Sequence, residues 1–290
     1  MVKCKICSSS KTFLYNNFPF FPVIACDSCG TLFAKNPPKE DRMDEIYSDT
    51  YYEGWKGVSN KLSDQTRDMK IYTFSAYLNL LKVNTSIKKT KLLDIGCATG
   101  YLLEAAKKEG ADCYGVEVSP FGAKESNKKF PGKIFCGTLE GAKYQNNFFD
   151  IITMTDLIEH VIDPVSFLKE VFRILKPGGY ILIITPNFQS WWSKILGKRW
   201  TNFKEEHLFY FSPESLKFLM NKTNFEIISE KAVSKYLNLD YIYSQFTVFP
   251  TPGLYHISRT FPLFPKAIRV KNFPIGTGDY LVLAKKSNSH

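Results

Sequence analysis

Lys91-Leu-Leu-Asp-Ile-Gly-Cys-Ala-Thr-Gly100 is the stretch that decides the fold. Leu92, Leu93 and Ile95 form an apolar run of strand length, and Gly96-x-x-x-Gly100 supplies a tight turn. From Tyr101 to Glu109 the apolar residues Leu102, Leu103 and Ala106 return at helical spacing. Cys113-Tyr-Gly-Val-Glu-Val118 then predicts a second strand ending in an acid, Glu117, placed 21 residues after Gly96. This is the βαβ arrangement in which a glycine turn lets backbone approach a ligand and the acid binds a ribose diol.

The turn lacks the features of a phosphate cradle. A dinucleotide site would read G-x-G-x-x-G, but the third position here is Ala98 and the sixth is Tyr101, and no G-x-x-x-x-G-K-[ST] stretch occurs. The residues instead resemble motif I of the class I S-adenosylmethionine (SAM) methyltransferases, whose cofactor carries no phosphate. The resemblance implies that Asp94 helps hold the methionine end and that Gly96 and Gly100, with Cys97 and Tyr101 in the same turn, admit the cofactor. Glu117, with Val118 beside it, would bind the ribose.

Later segments match the same family in order. Ile134-Phe-Cys136 reads as a third strand, followed by Gly137-Thr138-Leu139 where the family places the adenine. Phe148 to Met154 reads as a fourth strand, followed by Thr155-Asp156-Leu-Ile-Glu159-His160, which resembles the family's post-strand segment. Lys176-Pro-Gly-Gly-Tyr-Ile-Leu-Ile-Ile-Thr-Pro-Asn187 resembles its turn into strand five. Ser212-Pro213 is a helix start. Asn224 to Glu230 and Tyr280 to Ala284 read as the last two strands. The expected fold is α/β: a Rossmann-like seven-stranded sheet with helices on both faces, an N-terminal zinc ribbon and an aromatic-rich cap.

The ribbon is read from the cysteines. Cys4-Lys-Ile-Cys7 and Cys26-Asp-Ser-Cys29 are two C-x-x-C pairs able to close a tetrahedron of thiolates around structural zinc. Phe13 to Tyr15 and Val23 to Ala25 between them read as short strands. Cys97, Cys113 and Cys136 lie in apolar contexts and read as small core residues. The domain boundaries expected are a ribbon over 1–36, a helical lid over 37–90 and a cofactor domain over 91–290, with cap insertions near 188–212 and 233–275. Met69, Tyr72, Ala76 and Leu80 share one face of the lid helix. Relatives place a tyrosine of such a segment near the cofactor, and Tyr51 or Tyr52 is the match, Tyr52 being preferred.

The net charge is +10, and the excess avoids the centre of the chain: residues 187–290 carry fourteen basic and seven acidic side chains. Such an excess suits an acceptor bearing phosphate, nucleic acid or an anionic membrane face, with a simple solvated basic surface as the alternative, since no run of five like charges occurs. Trp191, Trp192, Ile195 and Leu196 beside Lys194, Lys198 and Arg199 would suit peripheral membrane contact, with packing inside the cap as the alternative. Met1 to Ser10 is polar and no apolar run is long enough to span a bilayer, so a cytoplasmic protein is expected.

For chemistry, a hydroxyl acceptor needs a proton acceptor. His207, in Glu205-Glu-His-Leu-Phe-Tyr-Phe-Ser212, is the first choice and His160 the second, with Asp156 and Glu159 as further polar contacts. For each histidine a purely structural hydrogen bond is the alternative. No N-P-P-[YF] stretch of the DNA and glutamine N-methylating relatives follows the fourth strand, which points to a small molecule. Relatives that join a four-cysteine module to this core act on sugars and surface glycans, so O-methylation of a sugar or glycan precursor is the leading expectation. RNA methylation and a catalytically silent binding module are the alternatives.

Overall fold

The computed structural model describes residues 2–18, 21–37, 60–248 and 254–287. The strand run around Leu93 forms β4 (Lys91–Ile95), an interior strand of a seven-stranded sheet in the order β10-β11-β8-β7-β4-β5-β6. Its other members are β5 (Asp112–Glu117), β6 (Ile134–Cys136), β7 (Phe149–Thr155), β8 (Leu175–Pro186), β10 (Phe225–Leu237) and β11 (Phe273–Lys286). The ladders β4–β5, β4–β7, β5–β6 and β7–β8 are parallel, and β11 runs antiparallel to both β8 and β10. The strand order reverses at β4, between β4 and β7, the switch point where open α/β sheets place ligands beyond the carboxyl ends.

Consecutive apolar residues in the central strands feed two cores because strand side chains alternate. Leu92, Ile151, Leu182 and Leu281 face one side, where α1 (Asn60–Lys82) and α2 (Tyr101–Lys108) pack through Leu78, Leu81, Leu102 and Leu103. Leu93, Ile152, Ile183 and Val282 face the other, where α4 (Pro164–Ile174) and α6 (Pro213–Lys222) pack through Leu168, Val171, Leu216 and Leu219. Helix α3 (Pro120–Lys129) lies between β5 and β6 in sequence and begins at Ser119, whose hydroxyl accepts from the Gly122 N–H. The fold class expected from the sequence is the one observed.

Several details differ from the sequence reading. On α1 Met69 is buried but Tyr72 is exposed; the buried stripe runs Met69, Thr73, Tyr77 and Leu81, while Tyr72 lies beside Tyr236, with ring centroids 6.1 Å apart. Cys136 is exposed rather than a core residue, because β6 is the edge strand of the sheet among the described residues; Cys97 and Cys113 are buried. Strand β10 continues seven residues beyond Glu230, pairing through Leu237 with Phe273, so the segment between β10 and β11 stands on a long hairpin. Its helices are α7 (Leu239–Val248), α8 (Leu254–Ser258) and α9 (Lys266–Arg269).

A second sheet, β1-β2-β3-β9, combines β1 (Thr12–Asn17), β2 (Pro22–Cys26) and β3 (Leu32–Ala34) with a two-residue strand from far along the chain, β9 (Phe209–Tyr210). Leu32 pairs with Tyr210 and Phe33 with Phe209, and the Ala34 N–H donates to the Leu208 carbonyl at 2.9 Å. One side of this sheet joins the main core through Ile24, Phe33, Phe209 and Phe211. The other packs Val23, Ala25 and Leu32 against Trp200, with Phe188 and Phe203 alongside. The first insertion, which includes the short helix α5 (Trp191–Leu196), therefore leans on the N-terminal sheet. Trp191 is 56% exposed and stacks on Trp192 with centroids 4.0 Å apart.

Gly115 shows how closely β5 packs. A Cβ there would lie 2.7 Å from Cys97 Sγ and 2.8 Å from Ile134 Cδ1. Gly115→Ala is expected to destabilise the fold by about 1–3 kcal/mol, the usual penalty of overpacking, read as a lower urea midpoint with an unchanged slope.

Candidate functional site

The β4–α2 turn is held in a shape that favours glycine. Gly96 and Gly100 have φ of 73° and 82°, and Ala98 between them has φ of 46°. A side chain at Gly100 would also place its Cβ 2.7 Å from Ser126 Oγ on α3. The Gly96 and Cys97 N–H groups both donate to the Val116 carbonyl, fastening the turn to β5. Glu117 fastens it again: one carboxylate oxygen accepts from the Ala98 N–H at 2.7 Å and the other from the Ser119 N–H at 2.9 Å. The acid is 4% exposed, and Val118 beside it is 49% exposed. Asp94 is buried and accepts from the Thr153 hydroxyl at 2.7 Å. Burial pushes its carboxyl up to about 7 against the Thr153 hydrogen bond.

Of the residues singled out in the sequence, Asp94, Gly96, Cys97, Gly100, Glu117 and Val118 converge at this turn, with Tyr101 opening α2 beneath the Lys129 ammonium. Thr138 and Leu139 follow β6. The Leu139 side chain is buried in the core, and exposed Thr138 accepts from the Gly141 N–H. Tyr51 and Tyr52 lie outside the described residues.

At the end of β7, Thr155 leads into Asp156, which has a left-handed backbone (φ 51°). Its carboxylate meets Lys235 of β10 at 3.1 Å, and Lys235 also reaches the buried Asp279 of β11 at 3.2 Å. Burial alone would lower the Lys235 ammonium, but Asp156 and Asp279 outweigh it and hold it well above its ordinary value. Lys70 of α1 feels the same group, and burial pushes it down to about 8. Lys235 and Asp279 were not signalled by the sequence, because each sits in a strand with no motif around it.

His160 and His207 also come together. Their ring centroids are 4.6 Å apart and the planes nearly perpendicular. His160 Nδ1 lies 2.9 Å from the Glu206 carbonyl, so that nitrogen donates. Burial pushes His160 down to about 4, and burial with the neighbouring His160 holds His207 well below its usual value, so both rings are neutral. Glu159 completes the group: one oxygen accepts from the Thr185 hydroxyl at 2.9 Å, and burial raises the carboxyl to about 8. His256 lies apart on α8. His207 immediately precedes Leu208 and β9, and the Leu208 N–H donates to the Glu159 carbonyl at 2.8 Å.

The four N-terminal cysteines converge as well. Cys4 and Cys29 sulfurs are 3.7 Å apart and Cys7 and Cys26 sulfurs 3.4 Å, with all four within 4.8 Å of one another. Tetrahedral zinc with Zn–S bonds near 2.3 Å has sulfur edges of about 3.8 Å, so the donor set fits a closed four-thiolate metal site. Ser8 and Gly30, with φ of 64° and 71°, turn the chain just after each pair.

The comparisons agree with this geometry. A family model described as a methyltransferase domain matches residues 65–230, more than half of the chain. The chain belongs to that family. Among curated proteins it resembles the ubiquinone biosynthesis O-methyltransferases of Methylococcus capsulatus (33% identical over 118 residues, 38% of this chain and 49% of the relative) and Vibrio atlanticus (32% over 136 residues, 41% and 56%). The chain spans about half the length of these curated relatives. Among solved structures it resembles a complex between the Haloferax volcanii Trm112 methyltransferase activator and a methyltransferase, with TM-score 0.58, 16% identity, and 87% and 100% of the two chains covered. It also resembles a SAM-dependent methyltransferase from Thermotoga maritima, with TM-score 0.53, 21% identity, and 86% and 100% covered. At these identities the structural likenesses bear on the fold alone. Among the described residues no helix is long and apolar enough to cross a membrane.

Asp94 gives this site a pH signature. Its folded pKa lies above the ordinary 3.8, so the folded state keeps a proton that the unfolded state releases. The stability tied to that proton is present below about pH 4 and lost as pH rises to about 7. Asp94→Asn keeps an oxygen for the Thr153 hydroxyl and removes this loss. Urea titrations of the cofactor-free chain should show the variant gaining on the parent as pH rises from about 4 to about 7; parallel profiles would refute the assignment.

Proposed function

We propose that the chain is a SAM-dependent methyltransferase acting on a hydroxyl of a small molecule, with a sugar or glycan precursor as the acceptor class. The observation that carries this reading is the left-handed Gly96–Gly100 turn tied to the buried Glu117 carboxylate. The turn brings bare backbone beside an acid able to take two ribose hydroxyls, and the exposed face of Val118 offers an apolar wall for a base. Asp94, Gly96, Cys97, Gly100, Tyr101, Glu117 and Val118 would hold the cofactor, with Thr138, Thr155 and Asp156 at its margins. When bound, SAM supplies an electrophilic methyl group on a sulfonium sulfur.

Methylation of oxygen is favoured by the names of the curated relatives. The new C–O bond forms as the C–S bond breaks, leaving a neutral thioether, and the hydroxyl proton must leave. Our choice of proton acceptor is His207, with His160 second; what supports it is that the two rings adjoin, with Glu159 beside them. Alignment of acceptor and donor falls to the cap on the β10–β11 hairpin, whose Arg259, Lys266 and Lys271 suit an acceptor bearing phosphate. The organisation that supports this chemistry is a ribbon over residues 1–36, a covering segment over 37–90 and the catalytic domain beyond. Zinc on Cys4, Cys7, Cys26 and Cys29 would be structural, since four thiolates leave no open position.

Three outcomes are expected. Glu117→Ala should weaken binding of S-adenosylhomocysteine about 10- to 100-fold by calorimetry, the worth of one or two hydrogen bonds to a charged group; unchanged affinity would sink the ribose placement. His207→Ala should lower kcat by about 10²- to 10⁴-fold while leaving that affinity intact, in an assay screening nucleotide-linked sugars and catechols by mass spectrometry. Metal analysis of the purified chain should find zinc, and replacing Cys26 by Ala should release it and loosen the β3–β9 pairing, seen as a changed Trp200 fluorescence.

A further inference from the structure

The β10–β11 hairpin is irregular where it leaves the main sheet. Val233 pairs with Asp279 but Lys235 pairs with Ile275, so Gly276-Thr277-Gly278 stands opposite the single residue Ser234. Bulges of this kind re-aim side chains and gather beside functional sites. Pairing of β11 with β8 ends where Asp279 meets Pro186, so the bulge and Lys235 lie past the end of β8, at the carboxyl edge of the sheet. The re-aimed ammonium meets two carboxylates of unequal burial. Asp279, 2% exposed, accepts from the Thr277 hydroxyl of the bulge and holds the ammonium from beneath at 3.2 Å. Asp156 lies 3.1 Å away with its side chain 45% exposed, and that of Lys235 is 29% exposed, so this second pair has an open side. The Tyr77 hydroxyl of α1 is buried and has no hydrogen-bond partner among the described residues. The charges of Lys235, Asp279 and Asp156 all act on it, which places it beside them. A buried hydroxyl left without a partner is costly, and native proteins rarely leave one so.

We infer that Lys235 and Asp156 form a subsite that recognises two neighbouring hydroxyls of the acceptor, with Asp279 as the buried residue that positions the lysine. An ammonium only donates and a carboxylate only accepts, so the pair is matched by a ligand that does both. The Lys235 N–H donates to one ligand oxygen while Asp156 accepts from the neighbouring O–H, and both bonds are charge-assisted. The 3.1 Å between the two protein groups is close to the spacing of oxygens on adjacent carbons. The charge count points to a neutral ligand: Lys70 of α1 brings a second ammonium near Asp156, so two cations balance the two carboxylates. A phosphate on the acceptor would therefore lie elsewhere, against the basic cap. The Lys235 charge also bears on Glu159 and His207, so the subsite adjoins the proposed proton acceptor. That one of the two hydroxyls is the one methylated rests on the hydroxyl-methylating reading above; binding of the pair does not.

The test uses the full chain with carbon-13 at the lysine ε positions, observed by NMR in the presence of S-adenosylhomocysteine. The Lys235 signal is the one lost in Lys235→Arg. The probe is cis-1,2-cyclohexanediol, which carries the two hydroxyls and little else, with cyclohexanol as the control. The diol should move the Lys235 signal saturably at millimolar concentration, and the single alcohol should leave it in place. Asp156→Asn should weaken the diol about 10- to 100-fold, the worth of a hydrogen bond to a charged group, with the other lysine signals unmoved as the sign of an intact fold. Asp279→Asn should lower the pH at which the Lys235 signal titrates, which a merely space-filling residue would not do. A Lys235 signal indifferent to the diol, an equal response to cyclohexanol, or full diol affinity in Asp156→Asn would overturn the subsite. An unmoved Lys235 titration in Asp279→Asn would overturn the positioning role. Calorimetry with S-adenosylhomocysteine separates the two readings. Diol binding without cofactor binding removes methyl transfer and leaves the subsite standing; cofactor binding with no response to the diol removes the subsite alone.

Discussion

The Glu117 carboxylate organises the glycine turn and the strand ends around it. It spans two backbone N–H groups, one in the glycine turn after β4 and one at the start of α3. The anchor falls where the turn is least at ease, at Ala98, a residue with a side chain held in the left-handed region between two glycines. With the carboxylate in place, the β4 and β5 ends and two helix starts are tied together beside the reversal of strand order at β4. The acid thus shapes the crevice in addition to facing it. Asp94 does the same from below through Thr153, which ties the end of β4 to β7.

The other half of the site depends on a different kind of joint. Glu159, His160 and His207 come from two segments that meet where Leu208 bonds to Glu159, and Leu208 leads directly into the two residues that complete the N-terminal sheet. The four-cysteine module therefore braces the histidines from behind. The aromatic residues of the first insertion reinforce it: Trp200, Phe203 and Tyr210 pack ring against ring, and Phe203 also meets Phe18 beside the module. Rings that looked in the sequence like a substrate cap are in large part the cement of that brace.

The main sheet was legible because each of its central strands carries adjacent apolar residues bounded by turns, as in Leu92-Leu93 and Ile151-Ile152, and because the glycine turn has a fixed distance to its acid. The two C-x-x-C pairs were legible for a similar reason, since spacing alone brings their sulfurs together. Relations between distant segments were not. Nothing in Phe209-Tyr210 marks it as the fourth strand of a sheet begun near Thr12, and nothing in Lys235 marks it as the bridge between Asp156 and Asp279. Periodicity reports which side of an element is apolar, but not what lies opposite. Even the apolar side is uncertain for tyrosine, as exposed Tyr72 shows, because its ring can lie along a surface. Cys136 was misplaced because edge position is a property of the whole sheet.

The pairing of β3 with β9 has a consequence for how the chain is made. Some 170 residues separate the two strands, so the N-terminal sheet leaves the ribosome well before its last strand exists. Until Phe209 emerges, Phe33 and Ile24 have no core to enter and β3 presents an open edge. An ion caught early by the four thiolates would let the module wait in a defined shape rather than collapse or pair with a neighbour. The histidine pocket therefore cannot close until the first strands and Phe209-Tyr210 have found each other.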